Sequence, residues 1–235
     1  MARKRSAGKT TKFKDQGSPK SVKRGKLEME EAIDFAKLIG DDVVLRIFGL
    51  VPPKHLLKCA LVNKNWHRLS NDEDLWKKAC EEQWKGKVYV PAAKERNLSW
   101  KLRYLKADKD RTRVVLSTKE LSSITWRFRF KRTAGAWWAA VDPYWMHGKD
   151  ESKMMRRRFT ADGRMIADEP DPLMDAGEAM QWRMLANGQI QVEDFPPLKI
   201  KRRSDWGFTL ENQWVLFIAD LPPSDHFLDA LAASS

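Results

Sequence analysis

The spacing of apolar residues changes once along this 235-residue chain, near residues 106–111. Before that point apolar side chains recur every three or four positions, in short runs broken by turn residues, as in helices packed on one face. From Thr112 onward they alternate one by one, in segments separated by Asp-Gly, Asn-Gly and Pro-Pro. That is the pattern of half-buried antiparallel strands. A chain with this switch cannot be one continuous bundle or one continuous sheet. The expected fold class is therefore α+β and multi-domain, a small helical module followed by a C-terminal antiparallel β-sandwich or barrel. Four segments follow from the same reading: a disordered basic tail (1–27), a helical module (28–83), a linker with a helix (84–108) and a Trp-rich antiparallel β domain (109–235).

The formal net charge is +12, but its distribution decides what it means. Residues 1–27 hold ten Lys or Arg against one acid, Asp15, and the rest of the chain is nearly balanced. The tail has one aromatic residue, Phe13, too little apolar surface to offset its ordering entropy. Arg3-Lys4-Arg5 and Lys23-Arg24-Gly25-Lys26 read either as a nuclear import signal or as solvated charge, with an organellar transit peptide as a third option. The basic balance thus argues against a nucleic-acid partner for the folded part. Cys59 and Cys80 lack disulfide or metal spacing and suit a reducing compartment. No apolar run approaches the ~20 residues of a membrane span, and no secretory segment opens the sequence. The expected location is nuclear and/or cytoplasmic, with no membrane partner.

In the helical module, Asp41-Asp42 can cap a helix whose stripe is Val43, Val44, Ile47 and Phe48. Pro52-Pro53 stop it and pre-set the next helix, which carries Leu56, Leu57, Ala60 and Leu61. Asn63 opens a third piece with Trp66 and Leu69, and Asn71-Asp72 cap a fourth with Leu75, Trp76 and Cys80. Helices this short are marginal alone and must pack on each other or on a partner.

The run from Ile39 through Ile47-Phe48, Pro52-Pro53, Leu56-Leu57 and Leu61-Val62 to Trp66, continuing to Leu75-Trp76, resembles an F-box. Four positions depart from that family's pattern: Gly40 for the opening proline, His55 for an acid, Asn63 for a cysteine and Asn65 for an arginine. The resemblance implies docking on a Skp-type adaptor and, through it, on a cullin. The adaptor-facing residues it implies are Ile39, Val43, Val44, Ile47, Phe48, Pro52, Leu56, Leu57, Val62 and Trp66. The alternative is that these side chains only form the core of a small helical domain. Residues 97–105, with Trp100 and Tyr104 four apart, are similar to the Ser-Trp-Lys-x-x-Tyr helix that often follows an F-box.

Beyond the switch, residues 124–130 alternate with Ile124, Trp126, Phe128 and Phe130 on one face. Asp162-Gly163 and Asn187-Gly188 are hairpin signals, because such pairs tolerate positive φ. Seven or eight strands are expected. The phrases Asp142-Pro143-Tyr144-Trp145, Phe195-Pro196-Pro197, Asp205-Trp206-Gly207 and Asn212-Gln213-Trp214 are similar to domains that follow F-boxes in plant, algal and protist proteins. Trp137, Trp138, Tyr144 and Trp145 break the alternation beside Gly135, Pro143 and Gly148, so they read either as core or as a recognition loop for a protein client. With Phe159 inward, Arg156 and Arg158 point outward, either as a solvated strand face or as cations for an acidic or phosphorylated segment.

The four histidines, His55, His67, His147 and His226, are scattered, and no nucleophile elbow, His-Glu-x-x-His, Cys-x-x-Cys or phosphate loop is present. The expectation is a non-catalytic substrate receptor of a ubiquitin ligase, with no metal and no cofactor. The alternatives are a nucleic-acid or chromatin-associated protein using the basic tail, and a glycan-binding receptor.

Overall fold

The computed structural model describes residues 35–170, 174–175, 178–193 and 195–222; the expected disordered tail, with its import-signal and transit-peptide readings, and His226 lie outside the described residues. The helical part opens with α1 (Phe35–Ile39) and α2 (Asp41–Phe48). Gly40 joins them at φ 82°, a backbone state closed to the proline that the F-box pattern places there. Pro53 opens α3 (Pro53–Cys59), where its missing N–H is not needed. Side-chain caps start the next three helices. Asn63 accepts from Trp66 N at 2.9 Å before α4 (Lys64–Ser70), and Asp72 accepts from Asp74 N and Leu75 N before α5 (Glu73–Trp84). Ser99 accepts from Leu102 N before α6 (Trp100–Asp110).

The first core packs Val44 and Phe48 of α2 against Leu56, Leu69 and Trp76. Trp76 is fully buried, and its indole N–H donates to Ser70 O at 2.8 Å, so no polar group is stranded. The ring of Tyr104 meets Trp76 edge-on at 5.4 Å, which ties α6 to this core.

After the capping box of α7 (Thr118–Ser123), eight strands follow: β1 (Thr125–Phe130), β2 (Met155–Phe159), β3 (Arg164–Ala167), β4 (Ala179–Met184), β5 (Ile190–Val192), β6 (Lys199–Arg202), β7 (Phe208–Glu211) and β8 (Val215–Asp220). The paired strands are antiparallel, the sheet order is β5-β4-β3-β2-β1-β8-β7-β6, and β8 returns to β1 from Thr125↔Asp220 to Phe130↔Val215. Ile190 and Leu198 exchange hydrogen bonds of 3.1 and 2.8 Å where β5 meets β6. The sheet is thus an up-and-down, nearly closed barrel, which leaves little free edge. Of the two expected architectures, the barrel is the one formed.

Alternation fills the interior. Trp126, Phe128 and Phe130 of β1 are buried, with Phe159, Trp182, Phe208 and Phe217. Three hairpins use one three-residue loop, in which the first flanking N–H bonds the second flanking carbonyl: Thr160 to Arg164, Leu185 to Gln189 and Arg203 to Gly207. Only the glycine of Asp162-Gly163 and of Asn187-Gly188 takes positive φ, so these are not the two-residue turns in which both central residues do. In the third hairpin the corresponding residue is Trp206, at φ 63°.

That turn docks the barrel on the helices. Trp206 enters a cluster with Cys80, Trp84, Val90 and Ala107, while Val88 N donates to Asp205 O at 2.8 Å. Burial pushes the Cys80 thiol up to about 12, so it packs as an inert apolar group. Alongside, Arg202 of β6 donates to Asp110 at the end of α6 at 2.8 Å and stacks 4.1 Å above Phe208.

Candidate functional site

The helical spacing of α2 divides its apolar stripe in two. Val44 and Phe48, four apart, face the module's core, as does Leu56 of α3. Within the free chain these three, expected to face an adaptor, belong to the interior of the module. Their neighbours Val43 and Ile47 are exposed, Pro52 and Val62 lie open, and Ile39, Leu57 and Trp66 are half-buried. Trp66 leans edge-on against Phe48 at 5.3 Å. Three exposed leucines stand outside the expected adaptor-facing set: Leu38 of α1, Leu50 after α2 (87 % exposed) and Leu61 (84 %), which was expected on the helix of Leu56 but follows the end of α3 at Cys59. These exposed apolar side chains all belong to a module of fewer than fifty residues.

At the far end of the molecule the long β1–β2 connection crosses the mouth of the barrel. Where either core or a recognition loop was expected, its aromatic residues stand on two short helices, α8 (Ala136–Val141) and α9 (Pro143–Met146). The sequence pattern concealed them because six and four residues are too few to show a period. Asp142 sits between them, fully buried, and its carboxylate accepts from Phe130 N at 2.6 Å and Tyr144 N at 2.9 Å. It thereby caps α9 and fastens the connection to the end of β1.

This arrangement splits the four aromatic candidates into two pairs. Trp137 and Trp138 meet edge to face at 4.6 Å, and Trp138 stacks on Phe130 at 4.7 Å. Both help line a cavity of about 240 Å³ in the barrel end, with Phe128 and with Arg157 of β2. Tyr144 and Trp145 lie on the other side, beneath Arg129 and Arg132, whose guanidinium carbons stand 4.6–4.8 Å from the Tyr144 and Trp145 rings. The Trp145 indole N–H donates to Phe130 O at 2.9 Å. Arg156 and Arg158 occupy the outer face of β2, as the inward position of Phe159 requires, and pair with Asp220 and Asp168. They do not converge with Trp137 and Trp138. The basic side chain at the cavity is Arg157, which a reading focused on outward charges passed over.

Among the described residues, no three His, Cys, Asp or Glu gather as a metal site would require, and no helix is long and apolar enough to cross a membrane. The model of the F-box-like family matches residues 41–82, the segment that holds α2 to α5 up to Glu82. None of the curated proteins compared with the chain matches it. F-box domains generally bind Skp-type adaptors within ubiquitin-ligase complexes, and proteins that carry them are generally non-catalytic. This chain therefore carries an F-box-like domain at residues 41–82, followed by a C-terminal antiparallel β domain with a Trp-rich aromatic cluster.

Proposed function

We propose that the chain is the substrate-recognition subunit of a Skp–cullin–F-box ubiquitin ligase. Its F-box-like domain docks the Skp-type adaptor and its barrel holds a protein client. The observation that carries this reading is the coincidence of the family match with exposed apolar side chains on the same short segment, Val43, Ile47, Leu50, Leu61 and Val62. Burying one such aliphatic side chain contributes on the order of 1.5–3 kcal/mol, so a handful suffice for a stable complex. The docked turn around Trp206 and the Arg202–Asp110 bond support the receptor role, because they fix the barrel on the helical arm. A ligase needs that rigidity to hold a client within reach of the ubiquitin donor.

The client face in this proposal is the aromatic end of the barrel, where Trp137 is 62 % exposed beside Trp138, Tyr144 and Trp145. Arg156 and Arg158 would steer acidic clients from the flank. Work of this kind belongs to the nucleus and/or the cytoplasm. The test is affinity purification of the full-length protein from proteasome-inhibited cells. Recovery of a Skp-type adaptor, a cullin and ubiquitylated proteins supports the reading, and purification without any adaptor overturns it.

A further inference from the structure

The outward arginines of β1 and β2, with Arg132 just beyond β1, divide into two groups. Arg127, Arg156 and Arg158 each pair with a carboxylate, that of Glu151, Asp220 or Asp168. Arg129 and Arg132, at the aromatic end, form no ion pair among the described residues. Arg129 gives one hydrogen bond, to Phe130 O at 3.3 Å, and rests 4.6 Å from the centre of the Tyr144 ring. Arg132 is exposed, lies 4.8 Å from a ring centre of Trp145, and makes no side-chain hydrogen bond among the described residues. Asp142, which caps α9, is fully buried, and its carboxylate is turned to the N–H groups of Phe130 and Tyr144. A cation held on an aromatic ring keeps both its charge and its N–H donors for another partner.

Beside Arg132 runs an open groove of about 490 Å³, lined by Trp145 and by Ala136, Ala139 and Ala140 of α8. The Trp145 indole N–H is taken by Phe130 O, so the groove floor offers an apolar guest methyl groups and an aromatic ring. Building on the receptor role proposed above, we infer that this groove binds an acidic segment of the protein client. One apolar side chain of that segment sits between α8 and Trp145, and a neighbouring Asp or Glu meets Arg132, with Arg129 adding positive charge behind it. The planar guanidinium fork matches a carboxylate in two parallel hydrogen bonds. A nucleic-acid strand suits this end less well, because its backbone needs a continuous track of cations. That track stops next to Arg129, where Arg127 and Arg156 share the carboxylate of Asp220.

The test applies the full-length protein to an array of peptides in which one Leu or Phe is flanked by Asp and Glu. Counterparts carry Asn and Gln, or phosphoserine, at the acidic positions, or Ser in place of the apolar residue. The expected result is retention that needs both the carboxylates and the apolar residue. Fluorescence anisotropy with the best-retained acidic peptide then shows Arg132→Glu weakening affinity by at least about tenfold. Ala140→Trp, which fills the groove from an exposed position, gives a similar loss with thermal unfolding unchanged, and decides the matter if Arg132→Glu does not fold. Lys109→Glu, an exposed residue of α6, makes the same change in net charge and leaves affinity unchanged, which separates the groove from the basic tail common to all variants. No preference for acidic peptides, binding indifferent to Arg132→Glu or to Ala140→Trp, retention that requires phosphoserine, or tighter Arg132-dependent capture of a single-stranded oligonucleotide each overturns the proposal. In all of these cases recovery of adaptor and cullin from cells leaves the ligase reading intact, whereas acidic-peptide binding by a protein that recovers no adaptor keeps the groove and removes that reading.

Discussion

Trp206 stands in the β6–β7 turn where Gly163 stands in the β2–β3 turn, third of three loop residues and at positive φ in both, 63° and 88°. A left-handed residue with a Cβ costs about 1–2 kcal/mol, which glycine avoids. The indole offsets that cost by filling the cluster around Cys80, Trp84 and Val90. Backbone strain at this turn is thus set against packing between barrel and helices.

Trp206→Gly separates the two effects. It relaxes the turn and removes the wedge, so the net destabilisation expected from truncating a buried tryptophan is about 1–4 kcal/mol. Urea denaturation measures it. A loss below about 0.5 kcal/mol, the scale of an ordinary surface substitution, would show that the turn does not anchor the barrel.

The division of the helical module into buried and exposed apolar side chains predicts opposite phenotypes. Leu61→Asp with Val62→Asp leaves the thermal midpoint unchanged and abolishes adaptor co-purification, because both side chains are exposed in the free chain. Leu56→Ala instead destabilises the module by about 2–5 kcal/mol. A folded Leu61/Val62 double variant that still retains the adaptor in full would remove that surface from the interface.

Asp142 holds the covering helices to β1 through two backbone N–H groups. Asp142→Ala leaves them without this acceptor, at a cost of about 1–3 kcal/mol for each one that stays buried. The expected readouts are a lower unfolding free energy and a red-shifted, more quenchable tryptophan emission as Trp137 and Trp138 loosen. Unchanged emission and stability would mean that α8 and α9 are held by their ring contacts alone.

Acid sensitivity is expected to centre on Glu120. Burial pushes its carboxyl up, but hydrogen bonds from Arg113, Ser117 and Tyr89 outweigh this and bring it down to about 2, from an ordinary value of 4.5. A pKa lowered by folding means that the unfolded chain binds the proton more tightly. The contribution is therefore complete above pH 4.5 and is lost as the pH falls toward 2. Glu120→Gln should flatten the pH dependence of unfolding free energy across that window. An identical slope in the variant would place the acid sensitivity elsewhere.

Local chemistry made much of the fold legible in the sequence. Asn63, Asp72 and Ser99 cap their helices because a short polar side chain beside free backbone N–H groups serves the same purpose in any fold. The alternation of β1 survives intact because strand geometry turns successive side chains to opposite faces. The F-box-like segment was readable for a related reason, since Pro52-Pro53, Leu56-Leu57 and Trp66 hold fixed places along short helices. Tertiary structure decided the rest. Val43 and Val44 are chemically identical, and only the cluster of Leu56, Leu69 and Trp76 on one side of α2 makes Val44 core while Val43 stays exposed. Closure through Ile190 and Leu198 chose barrel over sandwich, a pairing between segments whose own patterns fit either. The buried Arg157 and the left-handed Trp206 run against the preferences of their residue types, because each is fixed by neighbours distant in sequence, where local patterning carries no signal.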